Sequence, residues 1–145
     1  MEITYRQADE IVGLLKDLKV DLNKSLARRR FLRCFKNTVE DLIEIRREVQ
    51  DRLAIKNPDG QVKSIGTKVQ YEPDNLITAN KEFEAILNKK VEIDLSKNIT
   101  DTITCVEILE NEIETVKKFA NGMFTDDDTQ YIERLMDVCD ILKNI

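Results

Sequence analysis

The sequence predicts an α+β fold that is mostly α: four or five helices, one of them long, with a small hairpin-based sheet at one end. Three observations lead there. Apolar residues recur at helical spacing through most of the chain. Four glycines and two prolines in 145 residues leave little room for linker. One strong turn, Lys56-Asn57-Pro58-Asp59-Gly60, is followed by short β-branched runs rather than by another helix.

The first helix opens at Thr4, which with Gln7 forms a capping-box pattern, and Ala8, Ile11, Val12, Leu15 and Leu18 make its apolar stripe. Leu22 and Leu26 extend that stripe, yet they fall opposite the stripe that Leu32, Phe35, Val39, Leu42, Val49 and Leu53 define. Two frames that disagree require a break, expected between Leu18 and Lys24, where Asp21, Asn23 and Ser25 can each cap a new helix. That second helix is read as continuous over about 24–55, since no glycine or proline interrupts it. At ~1.5 Å per residue it would be about 45 Å long, more than a domain of this size covers on all sides, so part of it is expected to project toward a partner or a second copy.

The turn at Pro58-Asp59-Gly60 ends the long helix, because proline presets one turn angle and glycine accepts the next. Residues 61–72 then read as a β-hairpin around Ser64-Ile65-Gly66-Thr67, with an irregular loop as the alternative. Pro73 and Asp74 start a third helix with Leu76, Ala79, Phe83, Ile86 and Leu87 inward. Val91 to Leu95 alternates with period two and is a candidate strand that could pair with the hairpin. A fourth helix from about Thr100 carries Val106, Leu109, Ile113, Val116 and Ala120 and stops at Asn121-Gly122. Thr125 and three aspartates open a fifth, with Tyr131, Ile132, Leu135, Cys139 and Leu142 on one face. The length suits a single domain over residues 1–145.

Charge is divided along the chain. The net charge is −5, yet between Asp21 and Glu40 the only charged residues are Lys24, Arg28, Arg29, Arg30, Arg33 and Lys36. On a helical wheel Arg29, Arg33 and Lys36 share an outer face with Arg30 at its edge, a stripe suited to an acidic protein, to phosphates, or to the acidic helices of the same chain. Arg28 and Arg46 instead fall within the apolar seam. A buried cation needs a partner, so each should meet a carboxylate from another helix, reach water at the rim, or mark a seam open to a second chain. These six residues are the candidate partner-binding set.

Catalytic chemistry is restricted by what is missing. The chain has no histidine, which removes the commonest general base and the triads built on it. Its glycines stand alone at 13, 60, 66 and 122, so there is no phosphate loop. Asp41 and Glu44, with Glu107, Glu110 and Glu114, have the one-turn spacing of carboxylates that hold Mg²⁺ in all-helical nucleotide hydrolases, but the wheel turns them toward water. Asp126 to Asp128 lack the alternating ligands and central glycine of a calcium loop and suit a first helical turn. No enzyme activity and no cofactor are expected. Cys34, Cys105 and Cys139 form no CxxC pair and read as reduced, mostly buried thiols, although Arg33 and Lys36 could lower the pKa of Cys34. No run approaches ~18 apolar residues and Met1-Glu2-Ile3-Thr4-Tyr5-Arg6 is not a secretion signal, so a cytoplasmic protein without membrane association is expected.

The order of Leu26-Ala27-Arg28-Arg29-Arg30-Phe31, a charged long helix, Lys56-Asn57-Pro58-Asp59-Gly60, Tyr71, Phe83 and Val91-Glu92-Ile93-Asp94 resembles a family of small helical proteins of unknown function from tailed phages and prophages of Gram-positive bacteria. The resemblance covers about residues 20–95. It implies a phage origin, hence the host cytosol, and no particular activity. The expected function is that of a non-enzymatic accessory protein acting through protein contacts, in host or defence-factor modulation, regulation or assembly, and self-associating through the long helix. A nucleic-acid-binding protein using the basic helix entry is the alternative, and the Mg²⁺ hydrolase a more distant one.

Overall fold

The computed structural model describes residues 1–144, and it is an α+β structure, mostly α. Its elements run β1 (Glu2–Thr4), α1 (Tyr5–Leu15), α2 (Leu22–Arg33), α3 (Lys36–Leu53), β2 (Ser64–Ile65), β3 (Lys68–Val69), α4 (Pro73–Leu87), β4 (Lys90–Glu92), α5 (Ile99–Ala120) and α6 (Asp126–Lys143). The described residues thus hold six helices, one more than the upper sequence expectation. The additional one comes from the expected long helix, which is two.

The break lies at Cys34 and Phe35. There the backbone tightens to i→i−3 bonds, Cys34 N–H to Phe31 O and Phe35 N–H to Leu32 O, each 3.0 Å, and α3 begins without a side-chain cap. The bend sits beside two core rings. Phe31 and Phe35 are both fully buried, with ring centroids 5.1 Å apart and planes tilted by 50°. Truncating either ring would cost about 3–5 kcal/mol, so the pair is a fixed point of the core at the place where the chain turns. The two rings, one turn apart, could share a face on a straight helix as well; what the bend adds is a change of direction that carries α3 out of this core and onto α4.

That core gathers Ala8, Ile11, Leu14 and Leu15 of α1, Phe31 of α2, Ile93 and Leu95 after β4, and the inner faces of α5 and α6. Antiparallel α5 and α6 form a hairpin, α2 lies along α5, and α1 touches α3, α4, α5 and α6. The chain after the bend leaves this core, and α3 packs against α4 over the smaller buried set Leu42, Val49, Ala54 and Ala79. A bidentate Arg52–Glu82 pair at 2.6 and 3.1 Å ties these two helices.

The sheet is two separate antiparallel pairs. β2 and β3 form the expected hairpin, closed by Gly66-Thr67, with Gly66 at φ +63°, the left-handed backbone that two-residue hairpin turns require. β4 does not join it. It pairs with β1 in the register Glu2↔Glu92, Ile3↔Val91, Thr4↔Lys90 and so fastens the start of the chain to the middle. β1 is too short to show alternation, which is why its role is invisible in the sequence. Thr4 then caps α1 through the expected capping box, and Thr125 does the same for α6.

The break between α1 and α2 falls where the capping residues put it, with the Asp21 side chain accepting from Lys24 N–H at 2.9 Å. Leu22 and Leu26, expected to continue the first stripe, are instead exposed (73% and 45%), because α2 turns its Ala27–Phe31 face inward. Leu76 is likewise 42% exposed, and Ala79 is the buried residue of α4.

Candidate functional site

The bend separates the six candidate cations. Arg28 does not meet a carboxylate. Its Nη1 donates to the Leu15 carbonyl at 2.9 Å and also to the Leu18 carbonyl, closing the C-terminus of α1, which has no basic residue in its own last turn. Arg46 does meet one, Asp9 of α1 at 3.5 Å. Both seam arginines therefore find partners within the chain. Arg30, at the edge of the expected stripe, is drawn away from it by Asp101 of α5, with Nε and Nη2 against the carboxylate at 2.9–3.2 Å. Asn98 Nδ2 supports the same carboxylate at 3.2 Å. Hydrogen bonding to Arg30 holds Asp101 below the usual carboxylate range and raises the arginine.

Arg29, Arg33 and Lys36 remain. Arg29 and Arg33 come from α2 and Lys36 from the first residue of α3, so the bend wraps them around a groove of about 470 Å³ instead of setting them along a rod. The groove floor is Val12 of α1 with Leu32 and Val39 on either side of the bend, all half-buried. Arg29 and Arg33 form no ion pair among the described residues, and Lys36 has only Glu40, one turn on, at 4.0 Å. Three exposed cations against one acid surround an apolar floor. Sequence reasoning placed Leu32 and Val39 in the core and did not associate Val12 with the basic residues. The signal available for Val12 is its position beside Ile11, at the edge of the first stripe.

A larger concavity of about 900 Å³ lies between the segment after β4, α5 and the end of α6, walled by Leu95, Ile99, Ile103, Val106 and Leu142. Its charged rim is already engaged. Asp94 accepts from Ser96 N and Oγ at 3.0 and 2.6 Å, and Lys143 pairs with Glu110 at 2.9 Å. Of these two concavities the basic groove is the one with charges to spare, and it is the candidate site.

No protein-family model, curated protein or solved structure matches the chain. What the groove can do is accordingly read from its own chemistry.

The other candidate groups stand apart from it. Asp41, Glu44 and Glu48 on α3 and Glu107, Glu110 and Glu114 on α5 are exposed on separate helices, and no three metal-capable side chains come together among the described residues. Cys34, read chiefly as a small apolar filler, does not take the lowered pKa that Arg33 and Lys36 offered as the alternative. Desolvation, then Asp94 and Asp101, push its thiol up, and Sγ sits 3.4 Å from Asn98 Oδ1, on the α5 side of the bend. Burial raises Cys105 to about 12 and Cys139 to about 11. No helix of the described residues is long and apolar enough to cross a membrane.

Proposed function

We propose that this protein is a non-enzymatic accessory protein, of phage or prophage origin, that acts by binding an acidic protein segment in the groove between α1, α2 and α3. One observation carries the reading: among the described residues Arg29 and Arg33 stay without ion-pair partners around an apolar floor, while Arg30 between them is paired within the chain. Unpaired cations beside exposed apolar surface suit a partner that supplies both carboxylates and an apolar anchor. A helix with leucine or phenylalanine at i and i+4, flanked by glutamates, has that chemistry. Nucleic acid fits less well, because Val12, Leu32 and Val39 offer no aromatic face for a base.

The test uses a labelled amphipathic peptide of Glu and Leu, an all-Glu peptide of equal charge, and a short DNA duplex, titrated against the full chain. The Glu/Leu peptide should bind tightest, and Arg29→Glu with Arg33→Glu should weaken it at least about tenfold without changing the melting temperature. Tighter binding of the duplex would establish the nucleic-acid reading in its place. Nucleotide turnover lost in Glu107→Gln or Glu44→Gln with folding intact would replace both with an enzyme.

A further inference from the structure

The turn between α5 and α6 carries an apolar tip that nothing among the described residues covers. Phe119 is 87% exposed and Met123 83%, the two highest values among the large apolar side chains, and Phe124 beside them is 46% exposed. The tip is held in one shape. Asn121 and Gly122 both take left-handed backbone (φ +49° and +81°), Asn121 N–H returns to Lys117 O, and Met123 N–H to Ala120 O at 2.9 Å. Thr125 and Asp128 then lock the start of α6 through their capping box. A preformed tip loses little conformational freedom on binding.

Acids surround it. Asp126 and Asp127 are exposed in the first turn of α6, Asp128 lies behind them, and Glu112 and Glu114 precede the tip on α5. Against these stand Lys117 and Lys118, and Lys117 is held by Glu114 at 3.7 Å. The tip is therefore an apolar anchor with a net negative collar. The groove between α1, α2 and α3 has the inverse composition, an apolar floor with a net positive rim. Its volume of about 470 Å³ suits one or two large side chains.

The tip cannot enter the groove of its own molecule. Arg30, which lies between Arg29 and Arg33 in sequence, is fixed opposite Asp101, and Phe119 follows 18 residues later on the unbroken α5, about 27 Å farther along the helix axis. We propose that the groove receives the α5–α6 tip of a second copy of this chain, with Phe119 and Met123 against Val12, Leu32 and Val39, and Asp126 and Asp127 toward Arg29, Arg33 and Lys36. The inference rests on the groove being a binding surface for an acidic, apolar-anchored segment, and it names that segment. Because the two surfaces differ, the contact is head-to-tail. It closes into a ring if the rotation permits and otherwise continues as a filament.

Head-to-tail contact has a distinctive test. The full-length chain should grow in mass with concentration in sedimentation velocity, and growth should weaken in ~0.5 M salt. Phe119→Ser with Met123→Ser, and separately Arg29→Glu with Arg33→Glu, should each give a monomer with unchanged helical circular dichroism, all four sites being exposed. Mixed in equal amounts, the two monomeric variants retain one intact tip and one intact groove between them, so they should form a dimer and nothing larger. A wild type that stays monomeric up to about 0.5 mM overturns the inference. So does a wild type that assembles while each variant alone keeps the same mass distribution, which would mean an interface elsewhere, and so do monomeric variants that stay apart when mixed. In the first case, continued binding of the Glu/Leu peptide would leave the groove as a site for another protein, and loss of both would end that reading as well.

Discussion

Arg28 on α2 donates to the main-chain carbonyl of Leu15 at the end of α1, 2.9 Å away, and the same guanidinium reaches the Leu18 carbonyl. The residue that looks like a charge misplaced in an apolar seam is the C-terminal closure of the preceding helix. It supplies both hydrogen-bond donors and the positive charge that a helix C-terminus favours.

Arg28→Met should therefore keep the side-chain volume and lose the closure, at a cost of about 1.5–3 kcal/mol in urea unfolding. Arg28→Lys, which keeps the charge and a multiple N–H donor on a shorter stem, should fall between the two. If Arg28→Met is as stable as the wild type, the carbonyls of α1 are satisfied by water instead.

Asp101 gives the chain a dependence on acid. Its folded pKa lies below its unfolded value because Arg30 hydrogen-bonds to the charged form, so it contributes stability above the unfolded pKa and loses it as the pH falls through the folded one. Glu82, held down by Arg52, and Asp94, held down by Ser96, act in the same direction. Stability should fall below about pH 4. In Asp101→Asn the deficit relative to wild type should be largest near neutrality and narrow toward pH 3, which denaturation midpoints across that range would reveal.

The thiols should be slow to react. With Cys105 near 12 and Cys139 near 11, both are protonated at pH 8, and the half-exposed Cys34 is shifted up as well. A disulfide reagent should modify Cys34 first in the native protein and all three within the mixing time in urea. Rapid native labelling of Cys105 would mean that α5 opens readily.

Gly13 lies within α1, and a Cβ built there meets nothing within 4 Å. Gly13→Ala should raise stability by about 0.5–1 kcal/mol through helix propensity alone. A lower melting temperature would indicate that the exposed face of α1 is covered by something outside the chain.

The helical part of the fold was legible because its signals are local. Thr4, Asp21, Pro73, Asn121-Gly122 and Thr125 each start or stop a helix through a few neighbouring backbone groups, and all five act where the pattern puts them. The break at Cys34 and Phe35 has no such residue. It goes with the burial of Phe31 and Phe35 in a core made by α5 and α6, which lie far away in sequence. The pairing of β1 with β4 is non-local in the same sense. The candidate site followed the same division. Arg29, Arg33 and Lys36 on one face could be read from the wheel, but the departure of Arg30 to Asp101 and the floor at Val12 could not.

The bend makes surface recognition depend on what lies beneath it. Leu32, Arg33 and Lys36 face the groove, while Phe31 and Phe35, their immediate neighbours in the chain, fill the core on the opposite side of the same turn. Substitutions that touch no ligand, such as Phe35→Leu, would therefore re-aim the cations as a group and change which partner geometry is accepted. Selection for a different partner could work from inside the protein, leaving every residue of the binding surface unchanged.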